Sequence, residues 1–110
     1  MSAQPPNAVV CLVTAPQADS NRIASAIITG KLAACVNIIP AVQSLYWWEG
    51  KVEQDDEALL VVKTTRDAVS GLDALLRDAH PYDNFELVAL DIGAGSHPYI
   101  AWIAESVARP

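Results

Sequence analysis

Residues 31–64, KLAACVNIIPAVQSLYWWEGKVEQDDEALLVVKT, carry more apolar surface than one β-ribbon can bury by itself. Two β-rich runs flank Glu49-Gly50, a dipeptide suited to a tight hairpin turn. Leu45, Tyr46, Trp47 and Trp48 come directly before that turn. The tip of a monomer's hairpin lies far from its core and is ordinarily polar, because a large exposed apolar patch marks an interaction site. Successive strand residues point to opposite faces, so Trp47 and Trp48 need separate covers. The ribbon must therefore be covered on both sides, and the expected cover is another copy of the chain.

A chain of 110 residues forms one domain with a real core, read as a loose tail over 1–7 and a single domain over 8–110. The 52% hydrophobic content is somewhat high for a small domain and agrees with self-association. Seven basic against thirteen acidic residues, a net charge of −6, exclude the basic face that nucleic acid or an anionic membrane requires. Cations remain as partners. The apolar runs 8–13 and 58–62 are far shorter than the ~20 residues of a spanning helix. The start, MSAQPPNAVV, shows no basic stretch before an apolar one, so no secretory signal is expected. Two cysteines make no disulfide framework, and the expectation is a reduced, cytoplasmic protein.

Residues 8–14 are apolar on both alternations and read as a buried strand. Asp19 or Ser20 can cap a helix in which Ile23, Ala24, Ile27 and Ile28 recur at helical spacing, with Gly30 at its end. A second strand over 34–48 is expected to bend near Pro40, which cannot donate to a ladder. A third strand over 51–65 is charged in its outer half and apolar in its inner half. Asp67 can cap a second helix with the stripe Leu72, Leu75, Leu76 and Ala79, ended by His80-Pro81. A fourth strand over 85–92 and a last helix from Ser96, carrying Tyr99, Trp102, Ile103 and Val107, complete the chain. The order βαββαβ plus a C-terminal helix is the ferredoxin-like split βαβ pattern, an α+β fold with an antiparallel sheet. Both helices of that fold pack on one sheet face. One short C-terminal helix cannot cover the other, which should be buried between subunits.

The words KLAACVNIIP (31–40), SLYWWEGKVEQDDE (44–57), VVKTT (61–65), HPYDNFEL (80–87) and YIAWI (99–103) resemble, in that order, the CutA divalent-cation-tolerance proteins. The resemblance covers roughly residues 8–107. It implies a ferredoxin-like homotrimer linked to tolerance of copper and other divalent metals, without an established enzymatic reaction. Phe85 stands before Glu86 where the family usually has a proline. A family cysteine late in the first strand falls at Val13, with Cys11 two residues earlier, and a family pair of histidines falls at Ala79 and His80.

His80 is the leading candidate for chemistry, since imidazole is the commonest metal ligand and Tyr82, Asp83 and Glu86 follow closely. The expected metal ligands are His80, Cys35 and Asp83; a helix-end histidine can equally serve the last carbonyls of its helix. Any copper or other divalent cation is expected to be weakly held, with no obligatory cofactor, because closed sites need three or four converging ligands and no HxxxH or CxxC spacing occurs. Lys63, His80, Tyr82, Glu86 and Trp48 are expected to line an inter-subunit cleft for a small molecule. Lys63 can alternatively form a structural ion pair. Cys11 and Cys35 read as packing residues, held apart by the third strand. Asp55, Asp56 and Glu57 read as a solvated run, since strand neighbours alternate faces. Three functions follow: a trimeric binding or signalling module, with fold-level precedent in nitrogen-regulatory signal proteins; a small enzyme with His80 as general base; or a structural trimer that anchors a partner protein.

Overall fold

The computed structural model describes residues 7–108. The elements are β1 (Ala8–Ala15), α1 (Ser20–Thr29), β2 (Cys35–Trp48), β3 (Lys51–Thr65), α2 (Val69–Ala79), β4 (Val88–Asp91) and α3 (His97–Ser106). The sheet runs β2-β3-β1-β4 with every neighbouring pair antiparallel, the ferredoxin-like arrangement read from the sequence. Of the tail expected over 1–7, only Asn7 is among the described residues, and its carbonyl accepts from the Arg66 amide at 2.7 Å. Residues 109–110 of the expected domain also lie outside them.

Strand register decides which apolar residues form the core. Cys11 lies opposite Val62 and Val13 opposite Leu60, while Val36 and Ile38 of β2 lie opposite Val62 and Leu60. Partners in register share a sheet face, so these side chains form one continuous surface. Ile23 and Ile27 of α1 and Leu72 and Leu76 of α2 close over it. Burying each such side chain contributes roughly 1.5–3 kcal/mol. Ile28, expected on the apolar stripe, is partly exposed at the edge of α1.

The opposite face carries Val10, Leu12, Leu59, Val61 and Lys63, with Val88 and Leu90 of β4. Helix α3 covers part of it, burying Ile103 and bringing the Tyr99 ring beneath the Lys63 ammonium at 5.9 Å. Val88 is still 46% and Leu90 49% exposed. A single chain therefore leaves this face bare, as its two-sided apolar strands require.

At Pro40 the β2–β3 register shifts between Ile39 and Val42, and beyond that bend the two strands continue as an arm. The arm makes the molecule 54 × 25 × 22 Å. Its turn places Glu49 at φ 51° and Gly50 at φ 77°. Two left-handed residues form a type I′ turn, whose twist matches that of the strands it joins.

Local signals fared less evenly. Neither Asp19, Asp67 nor Ser96 caps a helix through its side chain. Both α1 and α2 are entered through a single 3-10 turn, and Asp19 instead pairs with Arg22 at 2.9 Å. Gly30 keeps φ at −77°, and Lys31 takes the left-handed position at 57°. Strand β4 begins at Val88 rather than 85, because Phe85 and Leu87 pack against the core and draw their segment off the ladder.

Candidate functional site

The arm leaves the body of the protein beside the loop that follows α2, and His80 holds that loop in place. Its backbone amide donates to the Leu76 carbonyl at 2.8 Å, ending the helix before Pro81. The ring reaches β1, where Nε2 lies 2.8 Å from the Thr14 carbonyl oxygen, and the Tyr82 amide donates to Nδ1 at 3.1 Å. A carbonyl only accepts and an amide only donates, so Nε2 carries the proton and the Nδ1 lone pair is used. Phe85 stacks on the ring at 5.3 Å and 22°, and Tyr82 flanks it at 4.8 Å. Phe85, standing where the family proline is usual, thus fixes the loop by side-chain stacking, with the Arg77 guanidinium over its ring at 5.6 Å from the centroid.

The loop and arm enclose an open groove of about 970 Å³, lined by Tyr46, Trp48, Glu53, Glu57, Tyr82 and Glu86 among others, with Asp83 and Thr14. Glu57 is 5% exposed, and Tyr82 donates its hydroxyl to Glu57 Oε2 at 3.1 Å. Burial, then the bond to Glu57, pushes the Tyr82 phenol up to about 12. Tyr46 donates to Asp55 on the same arm face, and that bond, ahead of desolvation, pushes its phenol up to about 12. Burial and the charge of Glu57 raise the Glu86 carboxyl above its ordinary value of 4.5.

Of the expected cleft, Trp48, Tyr82 and Glu86 come together and His80 lies beneath them as a support. Within one chain Lys63 stays apart from them. It stands on the open sheet face, where Nζ donates to Asn37 Oδ1 at 2.6 Å, and it makes no ion pair among the described residues. Cys35 lies opposite Lys63 on β2, half-buried, with Sγ 3.7 Å from Asn37 Oδ1. His80, Cys35 and Asp83 therefore do not converge: among the described residues no group of three or more His, Cys, Asp or Glu side chains could hold a metal ion. Both His80 nitrogens are committed as well, so the residues do not fit a closed metal centre. Cys11 and Val13 are both fully buried on the helix side of β1, and burial pushes the Cys11 thiol up to about 11, which makes it inert. Both thiols are free, with β3 lying between their strands.

Glu57 is the residue the sequence reading misplaced. The run 55–57 reads as solvated, yet Glu57 is buried where the arm meets the body. The available signal was its position directly before the apolar run 58–62.

This chain belongs to the CutA1 divalent ion tolerance protein family, whose model matches residues 9–106. It is 44% identical over 98 residues to the divalent-cation tolerance protein CutA of Thermus thermophilus, covering 88% of this chain and 95% of that one. It is 43% identical over 99 residues to the chloroplastic protein CutA 1 of Oryza sativa, covering 89% of this chain and 56% of that protein. The chain thus spans about half the length of the plant and vertebrate relatives it matches. The crystal structure of CutA1 from Oryza sativa superposes with a TM-score of 0.92 at 41% identity, over 99% of this chain and all of that one.

Replacing His80 by Ala removes two hydrogen bonds and two ring contacts from a buried position. It should lower stability by about 2–4 kcal/mol in denaturant melts. An unchanged midpoint would show that the loop is held otherwise. Glu86 supplies a pH-dependent effect. Its raised carboxyl means that the folded chain binds more protons than the unfolded chain just above pH 4.5, so its contribution to stability falls as pH rises through that interval. Glu86→Gln should therefore melt above wild type at neutral pH, with the gap closing below pH 4.5; a gap that widens towards acid contradicts this assignment.

Proposed function

We propose that this divalent-cation tolerance protein is a cytoplasmic homotrimer that works as a binding or signalling module, with a ligand groove at the base of each arm set at a subunit boundary. The bare second sheet face and the arm carry this reading. Leu45 is 65% and Trp47 75% exposed in the single chain, in addition to the exposed Val88 and Leu90 of the bare face. Patches of this kind are covered in stable proteins, and Trp and Tyr are enriched in interface cores. A groove with buried and half-buried polar groups favours a ligand-binding role over a purely structural anchor for a partner protein. The enzyme reading loses its base, because both lone-pair and proton positions of His80 are taken. The free thiols agree with a reducing compartment.

Light scattering at micromolar concentration should give three times the chain mass, with interfaces burying more than ~2,000 Å². Trp47→Asp and Leu90→Asp should each shift the equilibrium towards smaller species. A wild-type monomer would remove the trimer reading. Copper or another divalent cation is the ion we propose for the tolerance link, held weakly and exchangeably because one chain gathers no set of three ligands. Calorimetry should show weak copper binding of the same affinity in wild type and His80→Ala, and tight binding lost in His80→Ala would overturn this.

A further inference from the structure

We infer that His80 is a pH-sensitive fastening: a second proton on its ring breaks the contact between Nδ1 and the Tyr82 amide and frees the loop after α2, while the ring itself stays on β1. Every contact involved lies within one chain, so the device depends neither on how subunits assemble nor on what the groove binds.

The ring is 7% exposed, and each nitrogen has a partner whose role is fixed. The Thr14 carbonyl can only accept and the Tyr82 amide can only donate, so the pair fits the neutral ring alone, with its proton on Nε2. A proton on Nδ1 sets one N–H against another across 3.1 Å. The bond from Nε2 to the Thr14 carbonyl survives this and gains from the charge. The two ends of the fastening therefore respond differently: β1 keeps the ring, and the loop loses it. Since both nitrogens serve the chain in this way and the described residues gather no ligand set around them, the ring is a proton acceptor, not a metal ligand. The loop has room to respond. Residues 80–87 form no helix or strand, and Phe85 and Leu87 pack against the core at the far end, so the freed stretch is 81–84. Asp83 and Asn84 face the groove on one side and a hollow of about 440 Å³ against α2 on the other. Tyr82, whose hydroxyl donates to Glu57 at 3.1 Å, would leave the groove wall with that stretch.

Charged groups reach this corner from each element packed against it. Strand β1 brings the Thr14 carbonyl and no charged side chain. From α1, Arg22 donates to the Ala79 carbonyl at 3.0 Å, a cation that opposes a second proton. Helix α2 brings Arg77, which lies over Phe85 and is paired with Asp73. Strand β3 brings Glu57, bonded to Tyr82, and the loop brings Asp83 and Glu86, carboxylates that favour the proton. These charges act in opposite senses. The hydrogen-bond pattern, which only the neutral ring satisfies, sets the direction: the closed loop takes the neutral ring, the open loop accepts either form, and acid favours opening. An imidazole released from such a contact titrates near pH ~6.5, and each pH unit below that raises the open population by up to about tenfold.

Amide exchange and histidine nitrogen resonances of the intact chain, followed from about pH 7.5 to about pH 5.5, test this. At the upper end His80 Nδ1 should resonate as an unprotonated nitrogen and the Tyr82 amide should be protected. Towards the lower end the ring should take its second proton and the Tyr82 protection factor should fall about tenfold, while the amides paired between β1 and β3 stay protected. His80→Asn, whose side-chain oxygen can accept from the Tyr82 amide and takes no proton, should abolish the pH response. Glu86→Gln should retain it. Should His80→Asn fail to fold, the wild-type titration decides by itself. Tyr82 protection that persists on a doubly protonated ring overturns the inference, as does a ring that stays neutral down to the acid unfolding transition. A response that vanishes in Glu86→Gln assigns it to that carboxyl and overturns the inference equally. The outcome reads the same whether the chain assembles as a trimer or not.

Discussion

Strand β3 has to serve three surfaces at once, and the rest of the molecule is arranged around that demand. Its inner half is the second strand from one edge, hydrogen-bonded to β1 on one side and β2 on the other, with Leu60 and Val62 under the helices and Leu59 and Val61 on the bare face. Its outer half leaves the body and carries the arm. Because strand side chains alternate, the register set by Cys11 against Val62 determines every later position on β3, including which residues enter the groove. The shift at Pro40 is where the paired strands change from core ladder to arm.

The groove exists because that transition happens beside the loop after α2. His80 ties the loop to the end of β1 through the Thr14 carbonyl, and the Tyr82 amide completes the tie. Tyr82 is thereby held where its hydroxyl meets Glu57. The histidine that looks most like a ligand on paper is thus a fastening whose hydrogen-bonding capacity is spent. The carboxylate next to the apolar run becomes the buried charge of the site. A buried charge with one neutral hydrogen-bond partner is an energetic liability in the isolated chain. It makes sense at a place that another molecule completes.

The exposed apolar residues of the arm divide into two groups with different surroundings. Leu45, Trp47 and Val52 lie on one face of the arm, and Tyr46 and Trp48, opposite Glu53 and Lys51, lie on the other. The first group lies on the same alternation of β3 as Leu60 and Val62 but beyond the reach of the helices, which leaves it uncovered in the single chain. The second faces Glu53 and Lys51 across the strand pair and lines the groove, with Tyr46 bonded to Asp55. Adjacent tryptophans therefore point to opposite faces of the arm through strand geometry alone.

Much of the fold could be read from residue patterns alone. Two-faced apolarity in 8–13 and 58–62 marked strands with both faces buried, Pro40 marked the bend, Glu49-Gly50 marked the hairpin turn, and helical spacing placed Leu72 and Leu76 in the core. These are local or periodic signals, which backbone geometry translates directly into structure. The helix caps and the start of β4 were misread because side chains there had competing partners: Arg22 for Asp19, and the His80 ring for Phe85. The site was legible only in part. Its residues Trp48, Tyr82 and Glu86 could be named from the motifs, while within one chain Lys63 and Cys35 pair further along the ladder, away from the groove, and Glu57 belongs to the groove. Separations of 66 residues between His80 and Thr14 and of 25 between Tyr82 and Glu57 are closed only when the sheet and α2 pack together. Periodicity can say that a residue is buried; which charge is buried without a counter-ion, and which nitrogen has its lone pair taken, depends on contacts that form only in the tertiary structure.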